Sequence, residues 1–176
     1  MSKIHSIKGV KMKKTNQKMH EALSRIQVNR FHEHTELIEL IWPTFIEVEG
    51  CVIIQKDSES ERKLNLDFIL SQFGDRTGFE AAESHVHMRD VSKFFEENPI
   101  EGLRFAKKVV SMWAAKLKLD FPNYRFLIIL TFHGDDSIVR FHKLRNNEPL
   151  WVNIEKLENY KNEGILVEVV SSRKIC

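Results

Sequence analysis

The clearest stripe of apolar positions runs along residues 99 to 119, where Leu103, Ala106, Val110, Trp113 and Leu117 recur at helical spacing. That period puts them on one face of an amphipathic helix. Its start carries Asn98 as cap, Pro99 at the first helical position and Glu101 at the third, and Pro122 stops it. Next, Arg125 to His133 (RFLIILTFH) is apolar at both odd and even positions, the pattern of a central strand covered on each side. Gly134, Asp135, Asp136 and Ser137 are turn residues before a second strand, Ile138 to Leu144, so the two pair as a hairpin.

The rest of the chain fills in around these elements. Thr44 to Gln55 alternates Phe45, Glu47 and Glu49 with Ile46, Val48 and Gly50 and breaks at Glu49 and Gly50, predicting two strands or one bulged strand. Asn65 caps a helix from Leu66 to Phe73 that Gly74 ends. Between His20 and Trp42, Leu23, Ile26, Leu37, Ile38 and Ile41 fall at helical spacing, with Thr35 as N-cap and Pro43 as stop. Asn153 caps a short helix to Tyr160, Gly164 closes it, and Ile165 to Val170 makes a last strand. Residues 75 to 95 show only an alternating fragment, Ser84 to Met88. The sum is an α+β fold: a mostly antiparallel sheet of four to five strands with helices packed on it. Residues 1 to 18 read as a flexible basic arm and 19 to 176 as a single domain.

Charge changes the picture more than composition does. Residues 1 to 20 hold six Lys and no acid, residues 33 to 101 carry 16 acids against 6 bases, and residues 102 to 176 carry 13 bases against 8 acids. If these stretches segregate in space, the fold has an acidic and a basic side. No apolar run reaches the roughly 18 residues a bilayer helix needs, and the Lys-rich start is unlike a secretory signal. The two cysteines, Cys51 and Cys176, make no disulfide framework. Together these predict a cytoplasmic protein without membrane contact.

Among candidate chemistry, His85 and His87 stand out. In a strand, residues two apart share a face, so two imidazoles with Glu83 beside them could ligate a divalent transition metal, the only cofactor the sequence suggests, and support metal-dependent hydrolysis. Such spacing also arises by chance, and no second ligand cluster accompanies it. His32 and His34 are weaker candidates, because on a helix they point in different directions. Arg140 and His142 share a strand face, and Asp135 or Asp136 in the preceding turn could orient His142 as a general base. No nucleophile accompanies it: neither cysteine has a catalytic context, no serine sits in a nucleophile elbow, and the seven glycines form no phosphate-binding loop. Nucleic-acid binding has two supports, the basic arm and the interleaving of Arg125, Arg140, Lys143 and Arg145 with Phe126, Phe132 and Phe141. Against it, the Phe side chains are more economically core, and the body beyond the arm is net acidic.

Taken together, TFIEVEGCVII, SHVHMRD, the helix bearing Trp113, FPNYRFLIIL and VRFHKLRNNEPLW resemble a family of small stand-alone bacterial proteins with no established activity. The resemblance covers roughly residues 42 to 151 and implies no catalytic residues. In size and lopsided charge the chain is also similar in type to immunity proteins that neutralise a toxin by masking its site. The leading reading is therefore a non-catalytic protein-binding module whose acidic stretch, with Glu47, Glu49, Glu59 and Glu61, engages a basic partner surface. The metal-dependent hydrolase and the nucleic-acid binder are its alternatives.

Overall fold

A computed structural model describes residues 32–55 and 64–171, with the side chains of residues 32–36 left aside. The expected arm, Leu23 and Ile26, Glu59 and Glu61, and Cys176 lie outside the described residues. A unit spanning His34–Cys176 contains nearly all that follows.

In chain order the elements are α1 (His32–Ile41), β1 (Phe45–Val48), β2 (Cys51–Ile54), α2 (Leu66–Phe73), α3 (Arg76–Glu83), β3 (Val86–His87), α4 (Met88–Val91), α5 (Lys93–Glu97), α6 (Pro99–Asp120), β4 (Phe126–Phe132), β5 (Ser137–Lys143), a 3₁₀ segment (Ile154–Asn159) and β6 (Gly164–Val170). This is an α+β fold. The main sheet has the order β3-β5-β4-β6, every pair antiparallel, and β1-β2 forms a separate hairpin.

β4 is central, as its two-sided apolar pattern predicts. Phe126, Ile128 and Leu130 join Val139, Phe141 and Val170 against Ala106, Val109, Val110, Trp113 and Leu117 of α6. On the opposite face, Leu127 and Ile129 pack under Val152, Tyr160, Ile165 and Val167. Trp113 is fully buried, stands edge-to-face with Phe45 and Phe141 at 6.2 and 5.8 Å, and donates its indole N–H to the Leu40 carbonyl at 2.7 Å. Its polar handle is thereby satisfied, as a buried indole requires.

The β1-β2 hairpin is also two-sided. Phe45, Val52 and Ile54 face the α6 core, whereas Cys51 and Ile53 pack with Ile69 and Phe79 of α2 and α3. Its two-residue turn holds Glu49 at φ 51 and Gly50 at φ 76, the positive-φ pair that matches strand twist.

Several local expectations are corrected. Thr35 lies inside α1 and does not cap it. Asn98 takes the N-cap position of α6 with Pro99 after it, but its side chain makes no capping bond there; it donates to the Phe94 carbonyl and closes α5 instead. Gly164 opens β6, and the segment capped by Asn153 is 3₁₀ and ends at Asn159. The fragment Ser84 to Met88 yields a strand of only two residues, because Met88 already begins α4.

Candidate functional site

Three places gather polar or exposed groups, and the first two are set by long-range contacts. At the end of α3, the buried Ser84 hydroxyl bridges β5: it donates to the Phe141 carbonyl at 3.0 Å and accepts the Phe141 N–H at 2.9 Å. That clamp lays the next residues antiparallel to β5, with Val86 opposite Val139 and His87 opposite Ile138. The His87 ring thus reaches the β4-β5 loop, where Nδ1 donates to Asp136 Oδ2 at 2.6 Å. Asp136 is nearly buried; its Oδ1 also accepts the Arg89 N–H at 3.1 Å, and the Arg89 guanidinium lies 3.1 Å from Oδ2. Burial alone would push the Asp136 carboxyl up, but the bonds from His87 and Arg89 outweigh it and hold it below the ordinary value. His85 Nδ1 meets the Ala82 carbonyl, and the two imidazoles stand edge-on with centroids 5.4 Å apart. The structure therefore brings His85 and His87 together. Among the described residues, no three of His, Cys, Asp and Glu are placed so that they could hold a metal ion together, so Glu83 does not complete a three-ligand cluster.

A second node is built on Glu80, a fully buried residue of α3. Its carboxylate accepts the backbone N–H groups of Val52 and Lys143, both at 2.7 Å, and the Arg145 guanidinium at 2.9 and 2.7 Å. All four contacts are donors, an arrangement that calls for the ionised carboxylate. Burial pushes the Glu80 carboxyl up against the pull of Arg145, while Glu80 raises Arg145 in return. Arg145 also donates to the Gly50 carbonyl at 2.7 Å, tying the hairpin turn to the end of β5. Burial, with the Glu80 charge, pushes the neighbouring Cys51 thiol up to about 11. Glu148 caps the node by accepting both the N–H and the hydroxyl of Thr77, at 2.9 and 3.0 Å. Glu80 sits in the stretch whose pattern is least readable. Its one sequence signal is an acid set between Phe79 and the Ala81-Ala82 pair.

His142, the expected general base, is placed differently. Asp136 belongs to His87, and His142 is fully buried, its Nδ1 donating to the Lys143 carbonyl at 3.2 Å and its Nε2 accepting the Trp151 N–H at 3.4 Å. Burial lowers its pKa. The basic-aromatic set is likewise largely consumed: Phe126 and Phe141 are core, Arg140 lies over the Trp151 ring, Arg145 binds Glu80, and Lys143 pairs with Glu47 at 3.0 Å. Arg125 is exposed and borders a cleft of about 380 Å³, shared with Tyr124, Lys143, Arg145, Leu150 and Val169. Of the acids expected to meet a partner, Glu47 also accepts the Tyr124 hydroxyl at 3.0 Å, and Glu49 is exposed at the hairpin turn.

The third place is the corner from α4 to the first turn of α6, which sequence reasoning passed over. Phe94 and Ile100 are 58% and 60% exposed there. Residues 90 to 101 carry Asp90, Glu96, Glu97 and Glu101 against Lys93 alone. Glu97 and Glu101 make only surface pairs, with Lys93 at 3.6 Å and Arg104 at 3.1 Å. Two large exposed apolar side chains in a stretch rich in acids have the composition of an interface centre and its rim.

These features define a small α+β protein whose buried ionisable groups serve as internal ties and whose exposed apolar corner is acidic. The chain belongs to the Uncharacterized protein PM0498 family, whose family model matches residues 14–176. The resemblance to a family of unestablished activity is thereby borne out. No curated protein and no solved structure matches the chain. No helix among the described residues is long and apolar enough to cross a membrane.

Proposed function

We infer that this protein is a non-catalytic binding module that docks a basic protein surface, in the manner of an immunity protein masking a nuclease-type toxin. The observation that carries this reading is the stretch from α4 to the first turn of α6, where two large apolar side chains, Phe94 and Ile100, are exposed and the chain carries Asp90, Glu96, Glu97 and Glu101. Apolar side chains that lose their remaining water on docking supply affinity, and the surrounding acids steer a cationic partner and set its orientation. Two of the groups that could do chemistry are engaged within the fold. His142 is buried between backbone groups, and Glu80 and Arg145 bind each other.

The test is co-expression with the products of the adjacent genes, followed by calorimetry on any purified pair at two salt concentrations. A complex that weakens at higher salt, and weakens at least tenfold with Phe94→Ala or with Glu96→Lys combined with Glu97→Lys, is the expected result. A complex indifferent to these changes, or no complex with any neighbouring product, overturns the reading.

A further inference from the structure

We propose that His85 and His87 form a two-histidine site for a divalent transition-metal ion of the zinc, copper or nickel class. The Ala82 carbonyl and Asp136 act as the outer partners that fix the two rings. The argument rests first on tautomers. A carbonyl oxygen and a carboxylate oxygen accept hydrogen bonds and do not donate them, so the Nδ1 atoms of His85 and His87 both carry the proton in these contacts. With Nδ1 carrying the proton, the nitrogen left to offer a lone pair to a metal is Nε2. An imidazole whose other nitrogen donates to a carbonyl or carboxylate is the usual form of a metal-ligating histidine.

The spacing agrees. With metal-to-nitrogen bonds of about 2.0–2.1 Å, two imidazoles on one tetrahedral ion have centroids roughly 5.2 Å apart. The observed separation is 5.4 Å. His85 is exposed and the His87 side chain is 35% accessible, so an ion can approach and keep water on its remaining positions. Arg89 is the nearby cation, and its charge is met by Asp136 at 3.1 Å and Asp135 at 3.0 Å. The site adjoins α4, where the acidic corner begins, but the proposal does not depend on the docking reading.

The experiment uses the full chain without a histidine tag, stripped by chelator and titrated with Cu²⁺, Zn²⁺ and Ni²⁺. Calorimetry reads affinity, and electron paramagnetic resonance of the Cu²⁺ form reads nitrogen ligation. One ion per chain with two-nitrogen coupling is expected, with His85→Ala and His87→Ala each weakening binding at least tenfold. Asp136→Asn keeps both ligands and should weaken binding by about 10–100-fold, the usual effect of losing an outer partner. Circular dichroism checks that this variant folds. Because His85 is exposed, His85→Ala tests the site even if Asp136→Asn does not fold. Binding unchanged when His85→Ala and His87→Ala are combined, or no two-nitrogen signal, overturns the proposal.

Discussion

Replacing Arg145 by Met removes the guanidinium and retains much of the side-chain volume. Glu80, with no solvent exposure, would then keep the N–H groups of Val52 and Lys143 but lose both guanidinium contacts, at 2.9 and 2.7 Å, leaving its charge buried and uncompensated. Breaking a buried pair from one side costs about 3–5 kcal/mol. For a chain of this length each kcal/mol moves the midpoint by about 2–4 °C, so thermal unfolding followed by circular dichroism should shift down by about 6–20 °C. Glu47→Gln is the internal comparison. It breaks the more accessible pair with Lys143, and exposed pairs contribute about 1 kcal/mol or less. The pH dependence has a definite sign. Without Arg145 the folded-state pKa of Glu80 rises further above its unfolded value, so the penalty is smallest in acid and grows as pH rises above the carboxylate range. The Arg145→Met deficit should therefore be larger at pH 8 than at pH 5. A deficit no greater than that of Glu47→Gln would refute the view that this pair holds the hairpin, α3 and β5 together.

Two further outcomes follow from the buried groups. Burial keeps the folded-state pKa of His142 below its ordinary 6.5, so its contribution is fully present above pH 6.5 and is lost as pH falls through the lower folded value. Urea unfolding from pH 7 to pH 5 should show a steeper stability loss in the native chain than in His142→Gln, by up to about 1.4 kcal/mol per pH unit, and equal slopes would sink this account. Cys51, buried and with its thiol pushed up to about 11, should resist a thiol-titrating disulfide reagent at pH 8 in a Cys176→Ser chain until denaturant is added. Prompt stoichiometric reaction of the native chain would contradict its burial.

How much of this was legible depends on whether an element is specified locally. α6 carries its own period and a proline at its start, and β4 declares itself by apolar residues on both faces. The β1-β2 turn is visible as a break at Glu49-Gly50 and the α2 boundaries as Asn65 and Gly74. Residues 75 to 95 were unreadable for a physical reason. α4 and α5 have four and five residues, far below the roughly 12–15 at which helices are even marginal alone. Distant bonds hold this stretch, from Ser84 to Phe141 and from Arg89 to Asp136. The candidate histidines were visible by spacing, yet the carboxylate that orients His87 lies 49 residues away, and no local signal announces that pairing. Glu80 escaped notice because spacing rules treat an acid as a surface residue, whereas four donors let this one be buried.

The charge division along the chain resolves in the same way. The acidic and basic stretches do not simply separate into two sides, because some of their members meet one another. Glu47 of the acidic stretch binds Lys143 of the basic one, Glu80 binds Arg145, and Arg76 lies 3.6 Å from Glu148. An acid tied to a base presents little field to an approaching partner, so the total over residues 33 to 101 overstates what that stretch displays. From α4 to the first turn of α6 the acids have no such cross-fold ties: Asp90 and Glu96 stand exposed, and Glu97 and Glu101 make only surface pairs with Lys93 and Arg104. Surface pairs of this kind are weak enough to be exchanged for a partner's cations. On the docking reading, acids left without cross-fold ties are the ones that can steer a cationic partner, and Asp90, Glu96, Glu97 and Glu101 lie close along the chain to the exposed Phe94 and Ile100.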